Sequence, residues 1–434
     1  SHALVQHQVT GLLPPRGLAQ VVCAHRGVHE GGRRAVALHA HALPHDRRLF
    51  VQARLDEDEV AVSQTELTEM LFRRAAQNGT SPEAEMQHMM EHNHTGEWMQ
   101  EIRRTKALRL ASFPGVFTPT ALDLDAPVFV AGHRGLVGSA VWRALDSRGF
   151  TNLIGKRSDE LDLRDRDSVF DFFTDTGPHL VILAAAKVGG ILANNTYPVD
   201  FLSDNVRIQV NVLDAAAARR TPRLLFLGSS CIYPRLAPQP IREDSLLTGP
   251  LEATNDAYAI AKIAGIIQVQ SVRRQYGLPW ISAMPTNLYG PQDNFSPQGS
   301  HVLPALIRRY DEAVRNGLTA VTNWGSGSPR REFLHVDDMA SACLHLLENY
   351  DGAQQVNIGT GQDCTIAEIA AVVAETVGYT GETHWDTTKP DGTPQKLLDV
   401  GLLRDTGWTS KIGLRSGIAS TVEWYRSHLQ ELRT

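Results

Sequence analysis

A tyrosine and a lysine on one helical turn, in Tyr258-Ala259-Ile260-Ala261-Lys262, form a pair in this sequence able to do chemistry. On a helix this spacing puts the phenol and the ammonium on the same face. A phenol ordinarily titrates near pH about 10, so a cation beside it eases proton exchange with a carbonyl oxygen at neutral pH. An amphipathic surface helix produces the same spacing, so the pair needs context. Upstream, Gly228-Ser229-Ser230-Cys231-Ile232-Tyr233 follows the apolar run Leu224-Leu225-Phe226-Leu227. If that run is a parallel strand, the segment lies where open sheets bind ligands, and Ser229 can donate to the same carbonyl.

A second feature, Gly132-His133-Arg134-Gly135-Leu136-Val137-Gly138, stands between the apolar run Val128-Phe129-Val130-Ala131 and the helical spacing of Val137, Ala140, Val141 and Leu145. The three glycines suit a tight turn, a close backbone approach and tight helix packing, and the helix N-terminus behind them can bind a pyrophosphate. An NAD site would carry an acid about 20 residues on, against the ribose 2'-hydroxyl. Here the next strand ends in Gly155-Lys156-Arg157-Ser158. Those cations, with Arg134 in the turn, favour a 2'-phosphate and hence NADPH; the alternative is a solvated basic loop.

The elements that must hold these groups alternate. Asn152-Leu153-Ile154 and Leu180-Val181-Ile182-Leu183 repeat the strand signal with helical segments between, which predicts an α/β fold: a Rossmann parallel sheet with helices on both faces. After Pro291 the alternation weakens, and Trp324-Gly325-Ser326-Gly327-Ser328-Pro329 interrupts shorter elements, so a smaller α/β substrate domain is expected. Val356-Asn357-Ile358-Gly359-Thr360-Gly361 reads as a strand returning to the first unit. The expected division is an extension over 1–121, a dinucleotide domain over 122–298 with 332–362, and a nucleotide-sugar domain over 299–331 and 363–434.

Composition bounds the function. Lys and Arg number 42 against 48 Asp and Glu, a net charge of −6, and this excludes the basic footprint of a nucleic-acid binder. No apolar run is long enough for a membrane span. The four cysteines, Cys23, Cys231, Cys343 and Cys364, show neither CxxC nor zinc spacing, so free thiols and a cytoplasmic setting are expected.

With these residues in place the chain resembles the extended short-chain dehydrogenase/reductases, and among them the GDP-L-fucose synthase family. The segments that carry the resemblance are AGHRGLVGSA, AAAKVGGILANNTYP, LFLGSSCIYP, YAIAKIAG, MPTNLYGPQDNF, SHVLPALIRR, WGSGSPRREFLHVDD, NIGTGQDCTI and KPDGTPQKLLD, spread over about residues 127 to 430. The resemblance implies 3,5-epimerisation of GDP-4-keto-6-deoxy-D-mannose followed by NADPH-dependent reduction at C4. It implies a reduction triad of Ser229, Tyr258 and Lys262, with Cys231 and His301 as the acid/base pair for epimerisation. A thiol near pH about 8.5 and an imidazole near about 6.5 bracket neutrality, which suits those roles. It further implies cofactor contacts from Gly132, Arg134, Gly135, Leu136, Val137, Gly138, Arg157, Ser158, Asp162, Leu163, Leu227, Gly228, Ser230, Pro285, Asn287 and Leu288. Substrate contacts are implied for Arg309, Trp324, Arg331 and Asp391, with core packing as the alternative for Trp324 and pairing with Asp337 or Asp338 as the alternative for Arg331. A homodimer is expected on the resemblance alone. Where the family commonly has an arginine beside the second strand, this chain reads Arg157-Ser158, which displaces the cation by one position.

Other sugar-nucleotide enzymes of the superfamily, such as 4-epimerases and 4,6-dehydratases, are the first rival; they regenerate their cofactor each cycle. A non-catalytic NADP sensor is the second, and Ser229, Tyr258 and Lys262 together speak against it. The first 120 residues resemble nothing in the family. Between Thr65 and Leu108, Leu67, Met70, Leu71, Met86, Met89, Met90, Trp98 and Ile102 have helical spacing, so one or two helices are expected, while residues 1–60 carry no firm signal. Two histidine clusters, His39, His41 and His45, and His88, His92 and His94, lack Cys or acidic partners, and no metal is expected. The extension is a small helical domain, a poorly ordered tail, or sequence upstream of a natural start; catalysis should not need it.

Overall fold

The computed structural model describes residues 120–431 except 298 and 390, together with 5–10, 38–42, 48–53, 78–80, 84 and 88. The chain divides into two units, 1–116 and 117–434. The first contains β1 (Val5–Thr10), β2 (Leu38–Ala42) and β3 (Arg48–Ala53), an antiparallel sheet in the order β1-β3-β2. His39 and His41 fall in β2. The helices expected between 65 and 108 lie outside the described residues apart from 78–80, 84 and 88, as do His45, His92 and His94.

The second unit begins with β4 (Val128–Ala131), α1 (Leu136–Ser147), β5 (Leu153–Ile154), α2 (Arg166–Thr176), β6 (Leu180–Leu183), α3 (Ile191–Thr196), α4 (Pro198–Ala218), β7 (Arg223–Leu227) and α5 (Asp256–Tyr276). It continues with β8 (Ile281–Pro285), β9 (Asn287–Tyr289), α6 (Val302–Arg315), β10 (Ala320–Trp324), β11 (Arg330–His335), α7 (Val336–Asn349), β12 (Val356–Ile358) and β13 (Asp363–Thr365). The last elements are α8 (Ile366–Val377), β14 (Glu382–Asp386), β15 (Gln395–Lys396), α9 (Gly401–Asp405) and α10 (Leu414–Ser427).

Six strands pair in parallel in the order β5-β4-β6-β7-β8-β12. Their continuous apolar runs follow from burial on both faces. Phe129, Val181, Leu224 and Phe226 face Phe173 of α2, Val212 of α4 and Ile266 of α5, whereas Val128, Val130, Ile182 and Leu225 face Val141 of α1 and Met339 of α7. The strand order reverses between β4 and β6, which opens a crevice at their carboxyl ends.

Smaller sheets flank this one: β10 pairs with β14, and β11 pairs with β13, β15 and β9. Leu303, Leu306, Ile307 and Tyr310 of α6 pack there against Ile369 and Val373 of α8 and Val422 of α10. Leu398 and Val400 pack in the apolar cluster on one face of the large sheet, and Leu403 and Trp408 in the cluster on the other. Among the described residues no helix is long and apolar enough to cross a membrane.

Candidate active site

The glycine turn is shaped by contacts that no side chain survives. Gly132 has φ +85°, and a Cβ there would stand 2.8 Å from the Ala185 nitrogen. A Cβ on Gly138 would collide with the Gly132 oxygen. Gly135 begins α1 with no side-chain cap, which leaves first-turn N–H groups pointing outward at the crevice. The cradle therefore fits a dinucleotide pyrophosphate. Arg134, Arg157 and Ser158 border the same cleft, but Arg157 is clasped by both Asp159 oxygens at 3.0 and 3.1 Å. Asp162 is likewise bound by Arg164 at 2.8 Å.

Beyond β7 the chain makes one 3₁₀ turn, Ser230–Ile232, capped by Ser229, whose Oγ accepts the Cys231 N–H at 3.2 Å. This turn swings the Cys231 sulfur toward α5. There Asn255 Nδ2 donates to it at 3.3 Å and Lys396 Nζ of β15 stands 3.6 Å away. Ser229 and Tyr258 both border the cleft beside this sulfur. Lys262, one turn along α5, donates to the Leu227 carbonyl at 2.8 Å, with its Nζ 5.8 Å from the Tyr258 ring centroid. The left-handed Gly277, φ 69°, ends this helix.

The electrostatics differ from the simple expectation for a Tyr–Lys pair. Burial holds the Tyr258 phenol well above its ordinary value, the Cys231 charge adds to this, and Ser229 only partly opposes it. Burial also brings Lys262 down to about 7. Spacing places both groups on one face, but desolvation raises the energy of both charged forms. At Cys231 burial disfavours the thiolate, yet the Lys396 charge and hydrogen bonds from Ser229, Lys396 and Asn255 outweigh it, leaving the thiol below its ordinary value. His301 precedes α6 with extended backbone and no capping bond, and burial lowers its imidazole.

On the opposite wall, Arg309 of α6 donates to Asn323 at 2.6 Å. Trp324 is 63% exposed at the end of β10, so core packing does not account for it. Arg331 pairs with neither Asp337 nor Asp338: it donates to the Arg330 carbonyl at 2.8 Å, while Asp337 takes Arg143 at 2.6 Å and Asp338 accepts the Lys411 and Ile412 N–H groups. Asp391 accepts from Ser326 N at 2.7 Å and Ser326 Oγ at 2.8 Å, and so ties down the turn that follows Trp324.

One cleft of about 2130 Å³ is bordered by the residues expected to serve catalysis, cofactor and substrate: the glycine turn, Ser229, Cys231, Tyr258, Lys262, His301, the strand-end residues Leu227, Gly228, Pro285, Asn287 and Leu288, and the Arg309, Trp324, Arg331 and Asp391 wall. Sequence reasoning missed Asn255 and Lys396. Asn255 precedes Tyr258 at the start of α5, where an asparagine ordinarily caps the helix, and nothing local marks its diversion to sulfur.

A protein-family model for the NAD dependent epimerase/dehydratase family matches residues 128–359. GDP-L-fucose synthase 1 of Arabidopsis thaliana is 59% identical over 303 residues, 70% of this chain and 94% of the relative. GDP-L-fucose synthase of Escherichia coli K12 is 52% identical over 315 residues, 70% of this chain and 98% of the relative. The chain belongs to the NAD dependent epimerase/dehydratase family, in the group of the GDP-L-fucose synthases. Among solved family structures, a gdp-l-fucose synthetase from Naegleria fowleri bound to NADP superimposes with TM-score 0.68 at 30% identity, covering 73% of this chain and 97% of that one. The six-stranded sheet and its glycine turn fall within the segment the family model matches.

Proposed function

We infer that this chain is a GDP-L-fucose synthase, which epimerises GDP-4-keto-6-deoxy-D-mannose at C3 and C5 and reduces C4 with NADPH to GDP-L-fucose. The observation that carries this reading is the meeting of the Cys231 sulfur, the Ser229 hydroxyl and the Tyr258 phenol in the cleft that holds the glycine turn.

A C4 ketone acidifies the hydrogens on C3 and C5. Cys231 as thiolate takes one of them, and the electron pair moves onto the C4 oxygen, where Ser229 and Tyr258 donate hydrogen bonds. His301 returns a proton to the other face. Because its imidazole is lowered by burial, the proton-donating form is lost as pH rises through a value below the ordinary one, so epimerisation declines on that side. When bound, NADPH supplies the hydride that C4 receives. Tyr258, kept protonated by burial, gives the C4 oxygen its proton, and Lys262 one turn away steadies the phenolate left behind. Arg309 and Arg331 bind the diphosphate, Trp324 packs on a ring of the ligand, and Asp391 supports the Trp324 turn.

The division into a dinucleotide domain and a nucleotide-sugar domain belongs to this reading, with 398–408 assigned to the former. So does a homodimer formed through α4 and α5, supported by exposed Val199, Leu202, Ile260 and Ile267. The free thiols of Cys231, Cys343 and Cys364 favour a cytoplasmic setting.

The test is to mix the protein with GDP-4-keto-6-deoxymannose and NADPH, follow the loss of NADPH absorbance, and identify the sugar by NMR. One NADPH consumed per GDP-L-fucose formed is expected. Product without net NADPH consumption would instead mark a cofactor-regenerating epimerase or dehydratase.

A further inference from the structure

We propose that Lys396 is the positioning residue that holds the Cys231 sulfur as the anion the proton-abstraction step requires. This rests on the reading of Cys231 as the base.

Three observations converge. First, two side-chain donors reach the sulfur: Asn255 Nδ2 at 3.3 Å and Lys396 Nζ at 3.6 Å. A neutral thiol is a weak acceptor with a proton of its own to place, whereas a thiolate is what several donors satisfy. Second, Asn255 occupies the N-cap of α5 yet its Oδ1 makes no cap bond, and the side chain is turned so that Nδ2 donates to the sulfur. Third, among the described residues Lys396, like Arg309 and Arg331, pairs with no carboxylate, whereas Arg157 pairs with Asp159, Arg164 with Asp162, Lys187 with Asp200 and Asp204, and Arg235 with Glu252; of the unpaired three only Lys396 reaches the sulfur. Its charge is left to the sulfur.

The backbone fixes this placement. Lys396 lies on β15, which runs parallel to β11 with Lys396 in register with Arg331, so strand pairing rather than a flexible stem brings it to the cleft. The titratable groups interacting with the sulfur are Lys396 from β15 and Tyr258 from α5. Of these only Lys396 brings a positive charge. In the step itself the C–H bond of C3 or C5 breaks, its electron pair passes to the C4 oxygen, and the proton bonds to sulfur to give the neutral thiol.

The test follows carbamidomethylation of Cys231 by iodoacetamide as a function of pH, read by peptide mass spectrometry on the substrate-free protein. Only the thiolate reacts, so the inflection reports the thiol directly. In Lys396→Met the inflection is expected to rise by about one to two pH units, slowing alkylation at neutral pH roughly ten- to a hundredfold, while Lys396→Arg stays near the parent. The limb of the C3/C5 exchange profile that belongs to the thiol should move upward by the same amount. Should Lys396→Met unfold, Lys396→Gln serves with the same readout. An unchanged inflection, with only a higher KM for the nucleotide sugar, overturns the proposal and makes Lys396 a diphosphate contact. Failure of the parent reading looks different: Cys231→Ser would then exchange C3 and C5 hydrogens at the parent rate whatever Lys396 does.

Discussion

The two ends of the cleft use charge in opposite ways. Near the ends of β5 and β6, Arg157, Arg164 and Lys187 are tied to carboxylates at 2.8 to 3.0 Å. On the wall built by α6, β11 and β15, Arg309, Arg331 and Lys396 form no carboxylate pair among the described residues. On the proposed function the first end recognises its ligand by backbone shape: Gly132 and Gly138 leave no room for a Cβ, and α1 has no side-chain cap at its N-terminus. The second, on the same proposal, keeps positive charge in reserve for a diphosphate and for a thiolate. Substitutions at the two ends should therefore fail differently.

The largest effect is expected at Cys231. Cys231→Ser should slow solvent exchange at C3 and C5 by about 10²–10⁴-fold, the range of a lost acid/base group, with NADPH affinity unmoved. Deuterium uptake by NMR and a cofactor titration separate the two quantities. Next comes the uncompensated wall: Arg331→Met should raise KM for the nucleotide sugar by roughly tenfold to a hundredfold, as the loss of a charge-assisted contact does. Initial rates at varied sugar concentration check it, and an unchanged KM would erase the contrast. At the paired end the response should be smaller. Arg157→Ala is expected to change the NADPH-to-NADH preference by less than about tenfold, because its guanidinium is already shared with Asp159 in an exposed pair. A ratio of kcat/KM values for the two cofactors measures it.

How much of this was legible depends on sequence distance. β4, β6 and β7 are short apolar runs buried on both faces, and the glycine turn sits directly after one of them, so local pattern sufficed. Tyr258 and Lys262 share a turn, and spacing alone puts them on one face, but not the burial that pushes the phenol up and the ammonium down. Lys396 was invisible for a different reason: its strand has two residues, and its register with Arg331 is set by pairing between segments far apart in the chain. The same holds for 398–408, whose few apolar residues carry no sign of which cluster they pack in. In the first unit the alternation of Leu38-His39-Ala40-His41-Ala42 spans only five residues and is built on alanine, too weak a signal to mark β2.

The smallest effect is expected from removing the first unit altogether. The relatives from Arabidopsis and Escherichia coli are matched over 94% and 98% of their own length while covering 70% of this chain, so whole relatives fit in less chain than this one has. Every residue assigned here to cofactor, sugar or proton transfer lies beyond residue 131. A chain beginning near Leu122 keeps Leu122 itself, which packs against the cluster of Val128, Val141 and Met339. It loses the Thr120 N–H bond to the Glu348 carbonyl, a contribution of about 1 kcal/mol. Turnover should match the full chain, with a slightly lower melting temperature. Loss of turnover in the shortened chain, with its circular dichroism intact, would assign the first unit a part in catalysis that the geometry of the cleft does not call for.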